Sequence, residues 1–167
     1  VAKSAAFWQV ATYRNAYNMF ACTGILANHE SPLRPPKFVT RKVIDGVIAI
    51  KEGRSQTLQL GNLDIYRDWG WAPDYVKAMH LMLQASVPRD YLIASGVTTS
   101  LRSFVSHAFR VAELDEANHL EVNEKLKRPA DLSYSSLDPG LIKRDLGWSS
   151  SKSIEDIVEK MYLGQLL

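Results

Sequence analysis

Two kinds of hydrophobic pattern alternate along the chain, and this alternation limits the fold more than any other feature. Within residues 38–52 the apolar side chains recur at helical spacing, as Val43, Ile44, Val47 and Ile48. Gly53 follows, where a helix is expected to end. Short apolar segments with the character of strands lie between the helical ones, at 22–27, 57–60 and 91–95. This order predicts an α/β or α+β arrangement of layers.

Five further segments have helical signals. They are residues 3–20, 74–84, 98–113, 138–148 and 153–162. Asp138 is the expected cap of the fourth segment, and Ser153 with Asp156 resembles a capping box at the start of the fifth. The polar stretch after residue 113 has no clear pattern of its own.

Two segments are predicted to be irregular. Residues 28–37 hold three prolines, which fix backbone angles and remove amide donors, so a stiff loop is expected there. Residues 61–71, GNLDIYRDWGW, read as an aromatic loop. Aromatic surface left in water forgoes about 25 cal/mol per Å² of burial. We therefore expect Trp69 and Trp71 to pack in the core.

Composition excludes several classes of protein. A formal charge of +2 is too small to indicate nucleic acid as a partner, and no apolar run approaches the length of about 20 residues that crosses a bilayer. The first residues, VAKSAAFWQV, do not resemble a secretion signal, so a cytoplasmic protein without a membrane partner is expected. Cys22 stands alone in an apolar stretch, which favours a buried thiol over a disulfide.

Common catalytic motifs are missing from the sequence. No Gly-x-Gly-x-x-Gly or P-loop follows a predicted strand, and no Gly-x-Ser-x-Gly elbow is present. His29 and Glu30 are adjacent and lack partners at metal-ligand spacing, so no metal site is predicted. His80 lies in an apolar helical segment and is expected to be packed.

A basic cluster surrounds the predicted start of the helix near Phe38. It consists of Arg34, Lys37, Arg41 and Lys42. The free amides and the positive end of a helix dipole favour an anion at such a place, and a diphosphate would suit it. The alternative is that these four side chains are solvated surface charges.

Arg67 lies in the aromatic segment, a few residues after the turn pair Gly61 and Asn62. One interpretation is a phosphate site, because a guanidinium binds phosphate oxygens two at a time and a glycine permits close approach of the backbone. The other is a structural ion pair of Arg67 with Asp64 or Asp68.

A third basic position follows in KRPAD, where Arg128 precedes Asp131, a residue able to accept hydroxyl hydrogen bonds. Three separate loops thus each present an arginine beside turn-forming residues, as a phosphate-and-sugar site assembled from loops requires.

The segments NHESPLRPPKFVTRK, LGNLDIYRDWGWAPDYVKAMHLML and RPAD resemble, in order and spacing, those of GDP-mannose 4,6-dehydratases, which are extended short-chain dehydrogenases/reductases. The resemblance covers nearly the whole chain. It implies an α/β chain that forms the carboxyl-terminal, substrate-binding portion of a Rossmann-like fold. Residues 1–27 would be the last helix and strand of the Rossmann-like core, and residues 28–167 mainly the GDP-sugar-binding domain.

The resemblance also implies a reaction. In the family a Tyr-x-x-x-Lys motif opens a long helix, and VAKS aligns Lys3 with the motif lysine. The resemblance therefore implies that the catalytic tyrosine and the glycine-rich NADP-binding half lie outside this chain. Hydride would pass from C4 of the mannosyl ring to NADP⁺, water would leave across C5 and C6, and hydride would return to C6, giving GDP-4-keto-6-deoxymannose. Such an enzyme is a carbohydrate lyase and is expected to form a homo-oligomer. The 167-residue chain alone is expected to be inactive.

Site residues follow by alignment of the motifs. Lys3 would bind the nicotinamide ribose and lower the pKa of the tyrosine, and His29 and Arg34 match other cofactor contacts. Positions lining the GDP-sugar pocket match Asn28, Val39, Lys42, Gly61, Asn62, Arg67, Arg128 and Asp131. Asp131 replaces a usual glutamate, and Leu33 and Pro35 replace the arginine and glycine of a common SPRRG sequence.

Two other functions remain open from the sequence. The chain could be a non-catalytic module that recognises GDP-sugars or packs its first helix on a partner, or it could belong to a related epimerase or reductase that uses another nucleotide sugar.

Overall fold

The structure, a computed structural model, describes residues 1–126 and 130–166, in which short strands alternate with helices. The helices are α1 (Ala2–Tyr17), α2 (Val39–Lys51), α3 (Ala72–Gln84), α4 (Leu101–Val111), α5 (Glu116–His119), α6 (Gly140–Leu146) and α7 (Ile154–Leu163). The strands are β1 (Gly24–Leu26), β2 (Asn28–Glu30), β3 (Leu58–Leu60), β4 (Tyr66–Trp71), β5 (Tyr91–Ile93), β6 (Thr98–Ser100) and β7 (Leu120–Val122). A 3₁₀ turn spans Glu124–Leu126. The predicted α/β class is confirmed.

The strands form three small sheets. The central one has the order β2-β4-β6, with β2 parallel and β6 antiparallel to β4. β1 pairs with β5, and β3 pairs with β7, both in parallel. Each parallel pair needs a crossover through other elements, which places helices beside the sheets.

The prediction that residues 28–37 and 61–71 are wholly irregular is wrong. Residues 28–30 form β2 and residues 66–71 form β4, with Asn28 opposite Trp69 and Glu30 opposite Trp71. Aromatic side chains suit a pleated, buried surface, and a strand in the middle of a sheet obtains partners on both edges. The expected burial of the two tryptophans is confirmed, since Trp69 is 4% and Trp71 is 3% exposed.

Two hydrophobic cores organise these elements. The first joins α2, α4 and α7 to β4 and is centred on fully buried side chains such as Phe104 and Ile157. The second joins β1 and β5 to α3 and α6 and contains Ala27, Tyr75 and Trp148. The division of the chain at residue 27 stays a prediction. In the structure Ala27 packs in the second core together with residues of α3 and α6.

Helix α1 contributes no buried side chain to either core. It is fastened instead by Arg14, whose two terminal nitrogens donate to the two carboxylate oxygens of Asp90 at 2.8 and 2.7 Å. Asp90 also accepts from the amide of Thr23, and Arg14 donates to the carbonyl of Ala21, so the same pair fixes the chain entering β1.

Helix ends follow the local sequence. Gly53 has φ +72° directly after the end of α2, a conformation that glycine adopts without a Cβ penalty. The predicted capping box is present at α7, with Ser153 and Asp156 each accepting from the other's amide. Helix α6 begins at Gly140, slightly later than predicted, and Asp138 accepts from the Gly140 amide at 2.8 Å.

Two predictions of burial are wrong. Cys22 is half-buried at the margin of the second core rather than enclosed. His80 is exposed on α3, because the buried side of that helix is carried by Tyr75, Ala78 and Met82. In residues 1–126 and 130–166 we find no helix with the length and apolar content to span a bilayer.

Candidate functional site

A cavity of about 390 Å³ opens between the start of α2, the segment after β3 and the central sheet. It collects eight of the eleven candidate site residues, namely Asn28, Arg34, Val39, Lys42, Gly61, Asn62, Arg67 and Asp131. Lys37, Phe38, Leu60, Ile65, Trp69, Leu101 and Leu126 complete the lining. Four cationic side chains therefore share one hollow with apolar walls.

The start of α2 forms the first wall. Phe38 is the N-cap residue and makes no side-chain capping hydrogen bond, and no acid occupies the first turn. The amide ends of the helix thus lack a side-chain acceptor from their cap and carry the positive end of the dipole. Lys42 projects from this turn and donates from Nζ to the carbonyl of Gln59 at 2.7 Å.

Arg67 on β4 forms the second wall. Its Nη1 donates to the carbonyl of Tyr66 at 2.8 Å and its Nη2 donates to Asp131 Oδ1 at 2.9 Å. The side chain is 16% exposed. The guanidinium is therefore held in place by groups on two segments.

The ion-pair alternative for Arg67 named the wrong partners. Asp68 is buried and accepts instead from the amides of Ser95 and Gly96, at 2.9 and 2.8 Å. Asp64 pairs with Arg102. Strand alternation explains the difference for Asp68, because neighbouring residues of β4 point to opposite faces of the sheet.

Glu30 is a buried acid beside the cavity that the sequence suggested only as a poor metal ligand. Its Oε2 accepts from the hydroxyl of Thr40 at 2.6 Å and lies 3.2 Å from Arg34 Nε. Loss of solvent raises the pKa of this carboxyl, while Thr40 and Arg34 act in the opposite direction. The sequence held no local signal for this pair, because a spacing of four residues brings side chains together on a helix and residues 31–34 are not helical.

Three candidate residues are not in the cavity lining. Lys3 is exposed on α1, and His29 lies on the other side of β2, with Nδ1 2.9 Å from the carbonyl of Ala27 and its ring 5.2 Å from that of Tyr75. Arg128 lies outside the described residues. Among the residues that are described, no group of three His, Cys, Asp or Glu is arranged to hold a metal ion.

Solved structures similar to this chain define the class to which its fold belongs. The structure of RMD from Pseudomonas aeruginosa complexed with NADPH matches with a TM-score of 0.88 and 17% identity, over 97% of this chain and 54% of that one. A UDP-glucose 4-epimerase with UDP-glucose from Thermotoga maritima matches with a TM-score of 0.83 and 18% identity, over 98% and 51%. The chain has the fold of part of an extended short-chain dehydrogenase/reductase, since it covers about half of each of these two proteins.

Sequence comparison narrows the class to one family. The family model described as GDP-mannose 4,6 dehydratase matches residues 1–161, and the chain belongs to this family. The GDP-mannose 4,6 dehydratase of Dictyostelium discoideum is 42% identical over 178 residues, and that of Homo sapiens is 40% identical over 177. The alignments cover 96% of this chain in both cases and 50% and 48% of those proteins, so the chain spans about half the length of these curated relatives.

Proposed function

We propose that this chain supplies the GDP-sugar pocket of a GDP-mannose 4,6-dehydratase, with the start of α2 and Arg67 binding the diphosphate. The observation that carries the proposal is the cavity that two separate segments share, with Lys42 from α2 and Arg67 from β4 in its lining. Cations that converge in a partly enclosed hollow interact with phosphate oxygens more strongly than the same charges spread over a surface. The alternative of solvated surface charges does not account for their convergence.

The rest of the cavity suits the remainder of the ligand. Val39 and Leu60 provide apolar surface for a base, and the side-chain amide of Asn62 can donate and accept hydrogen bonds beside it. The Asp131 carboxylate, which is 28% exposed on its side chain, can accept hydrogen bonds from ribose hydroxyls while it holds Arg67. Arg128 is proposed as a further phosphate ligand on the resemblance alone.

NADP is the proposed cofactor, and it would take up and return a hydride when bound. Lys3 and His29 would hold it, with Arg34 as a third contact. Their chemistry fits, because the exposed Lys3 can donate to ribose hydroxyls and His29, bonded through Nδ1, keeps Nε2 for a ligand. The reaction proposed for the whole enzyme is the conversion of GDP-mannose to GDP-4-keto-6-deoxymannose, a carbohydrate lyase reaction.

Self-association is part of the proposal. Trp8 and Tyr17 on α1 are 66% and 69% exposed, and the helix buries none of its own side chains. Such aromatic surface favours contact with a second copy of the chain. Sedimentation velocity on the 167-residue chain tests this, and a monomer at all concentrations would contradict it.

Calorimetric titration with GDP, GDP-mannose and UDP-glucose tests the pocket. The proposal predicts that GDP and GDP-mannose bind and that UDP-glucose binds at least tenfold more weakly, a difference of about 1.4 kcal/mol. Preference for UDP-glucose would support a related epimerase instead. Absence of heat with all three nucleotides would contradict the proposal.

Turnover is a separate measurement. The 167-residue chain with GDP-mannose and NADP⁺ is expected to form no product, because the resemblance assigns the catalytic tyrosine and the glycine-rich cofactor segment to residues outside it. Product formation by the purified chain would contradict this part of the proposal and leave the pocket intact.

A further inference from the structure

Arg34 is clamped on two sides. The carbon at the centre of its guanidinium lies 3.7 Å from the centroid of the Phe38 ring, in a cation–π arrangement. Its Nε lies 3.2 Å from Glu30 Oε2, close enough for an ion pair although the angle does not make a hydrogen bond. Its side chain is 16% exposed and borders the cavity.

Glu30 is a buried acid that is only partly compensated by its surroundings. Its side chain is 1% exposed, and Oε1 makes no hydrogen bond with any residue of the described chain. A carboxylate in such a place costs free energy unless a cation compensates it, and Arg34 is the cation beside it. An uncharged residue of the same shape would fill the position with less desolvation, so stability alone does not explain the acid.

The same carboxylate also reaches the helix that carries Lys42. Its bond from the buried hydroxyl of Thr40 attaches it to the first turn of α2. Glu30 thus joins β2, the proline-rich loop and α2 at one point. Three segments of the cavity wall are fixed relative to one another through one side chain.

We infer that Glu30 is a positioning residue, which holds the Arg34 guanidinium in the cavity wall so that its outer edge binds a phosphate group of a nucleotide. Arg34 is an anion-binding group in this arrangement, and Glu30 acts on the ligand only through it. The inference rests on the proposed function in taking a nucleotide as ligand. The phosphate could belong to the diphosphate of a nucleotide sugar or to a dinucleotide, because the chemistry recognised by Arg34 is the same.

The test is a mutant cycle on ligand affinity. Calorimetry with GDP-mannose and, separately, with NADPH is carried out on the 167-residue chain and on E30Q, R34A and the double variant E30Q/R34A. We expect E30Q to lower the affinity for one of the two ligands about tenfold, the loss expected when one charge-assisted contact is misplaced. R34A should weaken the same ligand at least as much, and E30Q should add nothing in the R34A background.

The ligand that responds identifies the source of the phosphate. If E30Q lowers ligand affinity by the same factor in the R34A background as in the unsubstituted chain, Glu30 acts by a route that does not include Arg34. That result would overturn the inference. Normal affinity of E30Q for both ligands would also overturn it while leaving the proposed function standing. If the unsubstituted chain binds neither ligand, both the proposed function and this inference fail.

Three further variants separate positioning from folding. E52Q makes the same substitution in the exposed Glu52–Arg54 pair and should leave affinity unchanged. T40V removes the hydroxyl bond to Glu30 but keeps the charge beside Arg34, so it should lower stability more than affinity. If E30Q does not fold, E30D replaces it, and a loss of affinity in E30D no larger than that in T40V would overturn the inference.

Discussion

Arg67 and Asp131 form an ion pair across the cavity lining, with 2.9 Å between Nη2 and Oδ1, although 64 positions separate them in the sequence. The carboxylate occupies part of the guanidinium edge that a phosphate would use. A nucleotide diphosphate must therefore share Arg67 with Asp131 or displace it, and the affinity of the cavity depends on this pair.

Replacing Arg67 by alanine is expected to weaken GDP-mannose binding by about tenfold to a hundredfold, because a charge-assisted contact contributes about 1.5–3 kcal/mol. Calorimetry measures the change. R54A is the matched control, since Arg54 is a cation at the far end of α2 and pairs with Glu52 away from the cavity. Equal affinities of R67A and R54A would contradict the assignment of Arg67.

Asp90 is expected to make stability depend on pH. The hydrogen bond from Arg14 lowers the pKa of this carboxyl, and the Thr23 amide adds to the effect. A lowered folded-state pKa gives stability that is fully present above the unfolded value of about 3.9 and is lost as the pH falls through the folded value.

The variant D90N should therefore be less stable than the unsubstituted chain by about 1–2 kcal/mol at pH 7, and the difference should shrink below pH ~4. Denaturant unfolding at several pH values measures it. Hydrogen exchange should show the largest loss of protection in α1, which has few other attachments. A difference independent of pH would contradict the role of the charge.

Gly70 is expected to tolerate no side chain. A Cβ at this position would lie 2.6 Å from Tyr75 Oη and overlap Tyr75 Cε2, and both residues are buried. G70A should cost about 3 kcal/mol, near the upper end for overpacking. G53A is the comparison, because its Cβ would meet nothing within 4 Å. It should cost only about 1–2 kcal/mol for the left-handed backbone. Denaturant unfolding that ranks G70A as the milder change would contradict the packing.

The capping box of α7 should contribute measurably to the free energy of unfolding. S153A removes the side-chain acceptor for the Asp156 amide, and the expected loss is about 1 kcal/mol of unfolding free energy. S149A changes an exposed serine in the preceding segment and should have no effect. If the two variants unfold at the same denaturant concentration, the cap does not stabilise the domain.

The sequence predicted the elements whose signals are local. Helix α2 has an apolar stripe and a terminal glycine, and both features survive in the structure. β2 and β4 were missed because each gains its strand character from the other, across more than 35 positions of sequence. A segment of three residues such as Asn28–Glu30 is too short for its own pattern to identify it as a strand.

The site was predictable in residue type but not in contacts. Arginines beside turn residues indicated an anion site, and the family resemblance selected the positions. Which acid meets Arg67 depends on the tertiary arrangement, so Asp64 and Asp68 were chosen for nearness in sequence where Asp131 is the partner. The buried role of Glu30 likewise depends on Thr40, which arrives from the next helix.

A crystal structure of the chain with GDP-mannose tests the central claim most directly. The account predicts that the diphosphate lies in the cavity with its oxygens about 3 Å from the guanidinium of Arg67 and the ammonium of Lys42. A nucleotide bound outside the cavity, or bound inside it with the diphosphate turned away from both cations, would contradict the account.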